Sequence, residues 1–131
     1  MLDTAAFICP IPVTDLERAR VFYEQTLGLT PVDRSEAGIL VAVGGARLLL
    51  YLSPGGARPT HTLAAWEVPS LEPVIAGLER RGVTFEEYDL PGLRTEAHIA
   101  WIGPERAAWF HDSEGNILSI SEPWVRTAAK G

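Results

Sequence analysis

Three histidines, His61, His98 and His111, are the side chains of this sequence best suited to acid-base or metal chemistry. Imidazole titrates near neutral pH and binds metal ions through either ring nitrogen. A metal site needs three or more ligands that converge in space, and the sequence offers no second convincing ligand to join His61. Residues two apart in a strand share a face, so His61 points to the same side as Leu63. The favoured interpretation is a partly solvated His61 that lines a pocket without a metal, and the alternative is His61 as a catalytic base.

The sequence lacks the residues that other catalytic mechanisms require. The single cysteine, Cys9, excludes an internal disulfide and a zinc site built on a cysteine pair. Ser119 has no G-x-S-x-G motif around it, so a serine hydrolase has no support. Residues 112–116 (DSEGN) lack the twelve-residue frame of an EF-hand and predict a hairpin turn instead. Glu86 and Glu87 are adjacent in a predicted strand, so they point to opposite faces and cannot act as a paired acid and base.

Composition predicts one ordinary globular domain. The chain has 131 residues, and its 47% apolar and 21% charged residues argue against disorder. No apolar run approaches the roughly 20 residues that cross a bilayer, and the first residues, MLDTAAF, contain no basic region typical of a secretory signal. The net charge of −6 disfavours nucleic-acid binding, which needs a basic surface. We expect a cytoplasmic protein with neither a nucleic acid nor a membrane as partner.

An internal repeat organises the chain. Residues 13–29 (VTDLERARVFYEQTLGL) are echoed by residues 68–83 (VPSLEPVIAGLERRGV). Each copy follows a short apolar run, and each ends near a glycine. Two copies are too few for a solenoid, so the repeat predicts a domain built from two similar halves.

The first half predicts a strand, a helix and three further strands. Residues 5–11 alternate as a strand, and Pro10 and Pro12 predict a sheet edge because proline cannot donate to a ladder. Thr14 and Glu17 fit a capping box at the start of the helix. The remaining predicted features are a helix end at Gly28, strands at residues 30–33, 39–43 and 47–53, and a Pro/Gly-rich connector at residues 54–60.

The second half repeats this plan with a longer loop. Ser70 is the predicted N-cap of its helix, and Gly82 marks the helix end. The other predicted features are strands at residues 62–68, 83–88, 98–102, 107–111 and 117–121, a loop at 89–96, and a tail at 122–131.

The predicted fold class is α+β, with two tandem β-α-β-β-β modules in a single domain over residues 1–131. Module one covers about residues 5–53, the linker 54–60, module two about 61–121, and the tail 122–131. Each helix covers one face of its sheet. If the two halves join side by side, the opposite faces form a trough, where a ligand would bind.

These elements carry a family resemblance over roughly residues 5–121. The strand followed by D-L-x-x-A-x-x-F-Y-x-x-x-L-G-L, its echo, and the late F-x-D-x-x-G-N resemble the vicinal oxygen chelate superfamily of glyoxalases, bleomycin-resistance proteins and extradiol dioxygenases. The resemblance implies paired β-α-β-β-β modules that form a curled, partly open sheet around a shared cavity, and it implies a homodimer. It also implies a divalent metal held by His, Gln and Glu side chains that acts as a Lewis acid on the substrate.

The positions that match the family's metal ligands carry other residues. They fall on Ile8, Leu63 and Ser119, with a fourth position near Leu49 or Tyr51. Ile and Leu cannot ligate a metal, and Ser is a poor ligand for a divalent ion. We therefore expect no cofactor and no metal of the family type, while a rearranged metal site that uses His61 stays an alternative.

Strand alternation assigns the lining of the cavity. It directs Tyr51 and Trp109 towards the cavity and leaves Trp101 undecided. Apolar walls with a few polar groups are typical of small-molecule sites. The predicted ligand-binding residues are Ile8, Leu49, Tyr51, His61, Leu63, Trp101, Trp109 and Ser119.

The sequence thus favours a metal-free member of the superfamily that binds a small molecule, similar to the bleomycin-resistance branch, as a homodimer. The first alternative is a glyoxalase-type lyase or isomerase that uses His61 as base or in a rearranged metal site. The second is a non-catalytic structural dimer whose side chains fill the cavity.

Overall fold

A computed structural model describes residues 1–58 and 60–124 of the protein. They form two compact units. The first comprises Met1–Leu63 and Asp112–Asn116, and the second comprises Ala64–His111 and the described residues from Ile117 onward. No helix in this part of the chain has both the length and the apolar character needed to cross a membrane.

The first unit contains the predicted β-α-β-β-β module. Its four-stranded sheet has the order β1-β4-β3-β2, in which β1 runs parallel to β4 and the other pairs are antiparallel. The end position of β1 fits the prolines at positions 10 and 12, as the sequence predicts. The strands are β1 Ile8–Val13, β2 Thr30–Arg34, β3 Gly38–Val43 and β4 Ala46–Leu52.

The first helix, α1 (Leu16–Arg20), continues as a π-helical segment, Val21–Thr26. The predicted cap at Thr14 is wrong by one residue. Asp15 is the N-cap, and its Oδ1 accepts a hydrogen bond from the backbone N–H of Arg18 at 3.0 Å. Glu17 does not complete a capping box, because its carboxylate pairs with Arg20.

One face of this sheet packs with the helix to form the core of the first unit. Alternate residues of three strands are buried there, as the period of two in a strand requires. The helix contributes two fully buried side chains to the same core, Ala19 and Tyr23. The buried strand residues are Ile11, Val13, Ile39, Val41, Leu48 and Leu50.

The turn Asp112–Asn116 belongs to the first unit, and its carboxylate and amide groups are satisfied there. Asp112 Oδ1 accepts hydrogen bonds from the backbone N–H groups of Glu114 and Asn116, both at 2.8 Å. This is the tight turn that the sequence predicts. Asp112 Oδ2 accepts the Tyr23 hydroxyl at 2.6 Å, and the Asn116 amide donates to the Pro12 carbonyl at 3.0 Å. Burial and the neighbouring Asp112 charge raise the pKa of the Tyr23 phenol well above its usual range.

The Glu114 carboxylate of the same turn meets the start of α1. It accepts the backbone N–H groups of Thr14 and Asp15 at 3.0 and 3.2 Å, and Arg18 Nε at 2.6 Å. Its side chain is only 1% exposed. Burial alone would raise the pKa of Glu114, but the hydrogen bonds from Arg18, Thr14 and their neighbours outweigh burial and hold the pKa at about 2.

The second unit contains the helix α2 (Leu71–Arg80) and most of a second sheet, with the order β5-β10-β9-β8. Ser70 is the N-cap residue of α2, but its side chain makes no capping hydrogen bond. Instead, the Glu122 carboxylate accepts a hydrogen bond from the Leu71 N–H at 2.9 Å. It also forms a salt bridge with Arg106. The strands are β5 Thr62–Glu67, whose first two residues belong to the first unit, the β6–β7 hairpin Asp89–Leu90 and Leu93–Arg94, β8 Ala100–Ile102, β9 Glu105–His111 and β10 Ile117–Ser121.

The predicted strand at residues 83–88 is wrong as a regular strand. A single bridge pairs Phe85 with Phe110, and the Glu86 N–H donates to the Trp109 carbonyl at 2.8 Å. Strand β8 occupies the remainder of the same edge, because Ala100 pairs with Ala107. The segment can therefore reach only the last residues of β9.

Two other predictions change in detail. The predicted loop at residues 89–96 contains the short β6–β7 hairpin. The predicted tail begins with a structured residue, Glu122, and its residues 125–131 lie outside the described part of the chain. In the predicted linker, residue 59 also lies outside it.

The Glu114 carboxylate should make the stability of the protein depend on acid pH. Its pKa is about 2 in the fold against a usual 4.5, so it contributes roughly 3 kcal/mol above pH 4.5. This contribution should be lost as pH falls from about 4.5 to about 2. We expect Glu114→Gln to lower the free energy of unfolding by about 2 kcal/mol at pH 7, measured by urea denaturation, and by less than half of that at pH 3.

Glu17→Gln is the matched control. Glu17 also pairs with an arginine, but it lies on the surface, where ion pairs contribute at most about 1 kcal/mol. Equal losses for the two variants, or a Glu114→Gln deficit that does not shrink in acid, would contradict this role of Glu114.

Candidate functional site

A pocket of about 300 Å³ lies in the first unit, on the face of the sheet opposite the buried core residues. The strand register creates it, because Leu40 pairs with Leu49 and Gly38 pairs with Tyr51. A Cβ atom at Gly38 would stand 3.1 Å from Leu49 Cδ1 and 3.0 Å from the Leu50 carbonyl oxygen. Glycine at this position therefore avoids a close contact with β4 at the wall of the pocket. The lining residues are Asp33, Arg34, Ser35, Ala37, Gly38, Leu40, Leu49 and Tyr51.

The structure thus brings together two of the predicted ligand-binding residues, Leu49 and Tyr51. Ile8 lies on the same face of the sheet, because its neighbour Cys9 pairs with the buried Leu48 and alternation turns Ile8 the other way. Ile8 does not line the pocket, and it is 37% exposed.

His61 and Leu63 also belong to the first unit but not to this pocket. His61 is exposed and precedes β5, and its Nδ1 lies 3.1 Å from the Thr60 hydroxyl. Leu63 is half-buried within β5. No carboxylate contacts the His61 ring within the described residues.

The second unit carries an aromatic surface on one face of β9 and β10. Trp109 lies directly opposite Ser119 in the strand register, and both were predicted site residues. Tyr88 packs edge-on against Trp109, with ring centroids 5.7 Å apart. Burial, followed by the nearby Glu86 charge, raises the pKa of the Tyr88 phenol.

A histidine-carboxylate pair extends this aromatic surface. His111 follows Trp109 by two residues and so shares its face, and its Nδ1 lies 3.3 Å from Glu86 Oε2. Sequence alternation already gives the shared face of His111 and Trp109. It could not give the contacts of Glu86 and Tyr88, because those depend on the bridge that places residues 83–88 beside β9.

Trp101 lies on the opposite face of the same sheet. Ala100 pairs with Ala107, and Trp101 pairs with Arg106, so Trp101 shares a face with Arg106 and not with Trp109. Trp101 therefore does not join the predicted site residues Trp109 and Ser119 on their face of the sheet. Its side chain is 57% exposed.

Trp101 instead lines a larger cavity of about 770 Å³ in the second unit, formed by α2, the β6–β7 hairpin and the segment that leads into β8. Glu72 and Glu122 hold Arg106 at its edge, each at 2.8 Å. The lining residues are Glu72, Ile75, Ala76, Glu79, Leu90, Gly92, Leu93, Arg94, Glu96, Ala97, His98, Ile99, Ala100, Trp101 and Arg106.

His98, the third histidine, turns towards α2. Its Nε2 lies 3.4 Å from Glu79 Oε2, and its Nδ1 lies 3.1 Å from Glu87 Oε2. Glu87 also accepts the Thr95 hydroxyl, which lowers the pKa of its carboxyl. The side chains of Glu86 and Glu87 thus point to opposite sides of their segment, as alternation predicts. Together these contacts hold a backbone in which Ala97 and His98 have positive φ angles, of 51° and 73°.

The side chains at the family's ligand positions do not fit a divalent metal. Ile8 and Leu63 carry no donor atom, and the Ser119 hydroxyl is a poor ligand. No three His, Cys, Asp or Glu side chains in the described ranges are grouped closely enough to hold a metal ion.

Solved structures share this fold at low sequence identity. A lactoylglutathione lyase from Agrobacterium tumefaciens aligns with a TM-score of 0.69 and 16% identity over 91% of this chain and 93% of that one. A glyoxalase family protein from Enterococcus faecalis gives 0.73 and 19% over 93% and 100%. TnmS3, an antibiotic binding protein from Streptomyces sp. CB03234, gives 0.67 and 22% over 94% and 98%.

A search of curated proteins finds no match. A family model, however, matches residues 2–120, nearly the whole chain. The chain belongs to the glyoxalase/bleomycin resistance protein/dioxygenase superfamily.

Proposed function

We propose that the protein binds a small, flat or apolar molecule without a metal and without turning it over. The observation that carries the proposal is the pocket of about 300 Å³ against Leu49 and Tyr51. Its volume lies at the lower end of the range for small-molecule sites, which are apolar with a few polar groups. Asp33, Arg34 and Ser35 supply such polar groups at one side.

The chemistry of the ligand positions supports binding over turnover. The family's lyases and dioxygenases stabilise developing negative charge with a metal, and Ile8, Leu63 and Ser119 cannot assemble its ligands. A protein that only binds its ligand needs no such group. One structural relative, TnmS3, is described as an antibiotic binding protein, which is a precedent for this role on the same scaffold.

We further propose a homodimer located in the cytoplasm, with no nucleic-acid partner. Phe7, which precedes β1, is 67% exposed, and such an apolar side chain beside an end strand suits contact with a second copy. The net charge of −6 would repel the phosphate backbone of a nucleic acid. A non-catalytic structural dimer is the reading that remains if no ligand binds.

The alternative function is a glyoxalase-type lyase or isomerase. His61 would act as its base or as part of a rearranged metal site. The exposure of His61, whose ring contacts the Thr60 hydroxyl, favours binding over this alternative.

The pocket predicts that Tyr51 contributes to ligand affinity. With 8-anilino-1-naphthalenesulfonate as an apolar fluorescent probe, we expect Tyr51→Ala to weaken binding about tenfold, because an aromatic wall is lost. Tyr51→Phe keeps the ring and should bind within twofold of the unmodified protein. Leu52→Ala, on the other face of β4, is the control variant, and equal losses at positions 51 and 52 would contradict a site in this pocket.

Metal content provides a separate test. We expect the purified protein to contain less than about 0.1 equivalent of divalent metal by elemental analysis, because the ligand positions lack donors. Treatment with a chelator should leave probe binding and melting temperature unchanged. Stoichiometric metal together with an activity that the chelator abolishes would overturn metal-free binding.

The enzymatic alternative predicts that His61 controls turnover. If the protein turns over a hemithioacetal substrate of the glyoxalase type, His61→Ala should reduce kcat by about 100-fold or more, as expected for loss of a general base. Its circular dichroism should stay unchanged, since His61 is exposed. Turnover that His61→Ala leaves unaltered would exclude His61 as the base.

A further inference from the structure

The cavity of about 770 Å³ in the second unit lies on the helix side of its sheet, on the opposite face from Trp109. Trp101 stands on this side beside Arg106, which reaches α2, and α2 itself contributes Ile75. The volume falls within the range of sites that hold a small molecule. None of the family's ligand positions lines this cavity, and neither does Tyr51 of the first unit.

Several charged groups around the cavity already have a partner. Arg106 forms a salt bridge with Glu72 at 2.8 Å. His98 Nε2 lies 3.4 Å from Glu79 Oε2. A charged ligand would have to compete with these contacts within the protein.

Arg94 and Glu96 are the two charged lining groups that remain. Neither side chain forms a hydrogen bond or an ion pair with any other residue that the structure describes. Asp89 lies opposite Arg94 in the β6–β7 hairpin, but no such contact joins their side chains. Within the described residues, the cavity therefore presents one unpaired cation and one unpaired anion.

The backbone places these two charges on one side. Residues 93–96 are extended, because Arg94 pairs with Asp89 and Glu96 bridges to Ile99. Thr95, which lies between them, is 9% exposed and turns to the opposite side, where its hydroxyl accepts a backbone N–H. Residues two apart in an extended chain share a face at a distance of roughly 7 Å. Two long side chains at that distance can meet opposite charges carried by one small molecule.

The rest of the lining suits an apolar or aromatic group. Ile75, Leu93 and Ile99 contribute apolar surface. The Trp101 side chain is 57% exposed, and no aromatic ring packs against it in the described part of the chain. Its indole face is therefore open to stack with an aromatic ring of a ligand.

We propose that this cavity binds an aromatic α-amino acid. Its carboxylate pairs with Arg94, its ammonium group pairs with Glu96, and its ring packs against Trp101. A simple carboxylate would be repelled by Glu96 and a simple amine by Arg94, so the two unpaired charges select a zwitterion. No bond forms or breaks, and the site is separate from the pocket against Tyr51.

The test uses three probes that differ by one charged group. L-Phenylalanine carries both groups, 3-phenylpropanoate lacks the ammonium group, and 2-phenylethylamine lacks the carboxylate. Binding is measured by isothermal titration calorimetry at pH 6.5, where carboxylates are ionised and amines are protonated. We expect the unmodified protein to bind L-phenylalanine about tenfold more tightly than either analogue, because each analogue loses one charge-assisted hydrogen bond.

Three variants should give three different patterns. Arg94→Gln should weaken L-phenylalanine and 3-phenylpropanoate about tenfold, and should not weaken 2-phenylethylamine. Glu96→Gln should weaken L-phenylalanine and 2-phenylethylamine about tenfold, and should not weaken 3-phenylpropanoate. Trp101→Ala removes only the stacking surface and should weaken all three probes to a similar degree.

Arg80→Gln and Glu67→Gln are the matched control variants. Both residues are exposed in the second unit, and neither lines the cavity. Removal of a charge at either position should change the affinity for each probe by less than about twofold, because surface charges at a distance are screened by salt.

Each contrary outcome has a distinct meaning. Equal weakening of the three probes by Arg94→Gln or by Glu96→Gln would overturn charge pairing at these positions. Absence of saturable L-phenylalanine binding, or equal affinity for all three probes, would overturn the amino-acid site. Both outcomes leave the proposed function standing, because that function is judged by the Tyr51 dependence of naphthalenesulfonate binding. Loss of the Tyr51 dependence, with the Arg94 and Glu96 patterns as expected, would overturn the proposed pocket and support this site.

Discussion

The first unit depends on a buried pair of carboxylates in one short turn. Asp112 accepts two backbone N–H groups, the Asn116 amide and the Tyr23 hydroxyl, while Glu114 accepts the start of the first helix and Arg18. Buried charges are costly unless they are fully hydrogen-bonded, and here every carboxylate oxygen has a partner. A helix of only five α-helical residues is marginal by itself, so its position is set by this turn and by the packing of Ala19 and Tyr23.

This arrangement gives the family motifs a structural meaning. The tyrosine of the F-Y pair is Tyr23, and the aspartate and asparagine of D-x-x-G-N are Asp112 and Asn116. All three take part in one hydrogen-bonded cluster that contains none of the predicted ligand positions. The residues that identify the family therefore hold the scaffold, while the residues that decide its chemistry lie on the open faces of the strands.

Sequence reasoning succeeded where one local pattern decides the structure. The alternation of Leu48, Leu49 and Leu50 fixes which side of β4 is buried, and the spacing of residues 112–116 fixes their turn. It failed, or left a position undecided, where a residue distant in the sequence decides the structure. Glu114 competes for Thr14 and moves the cap to Asp15, and the pairing of Ala100 with Ala107 sends Trp101 to the opposite face from Trp109. The contact of Tyr88 with Trp109 depends on one isolated β-bridge at Phe85, which no periodicity in the sequence predicts.

The separation of scaffold from surface also explains how this chain can lack the family's ligands and keep its fold. Ile8 and Leu63 replace polar ligands at half-exposed or exposed positions, where an apolar side chain costs little and removes donors that would need a metal or water to satisfy them. The open face of the second sheet carries Trp109, with Tyr88 packed against it, and a histidine paired with a carboxylate. Binding by stacking and hydrogen bonding requires neither a Lewis acid nor a general base, which is why the proposed function needs no metal.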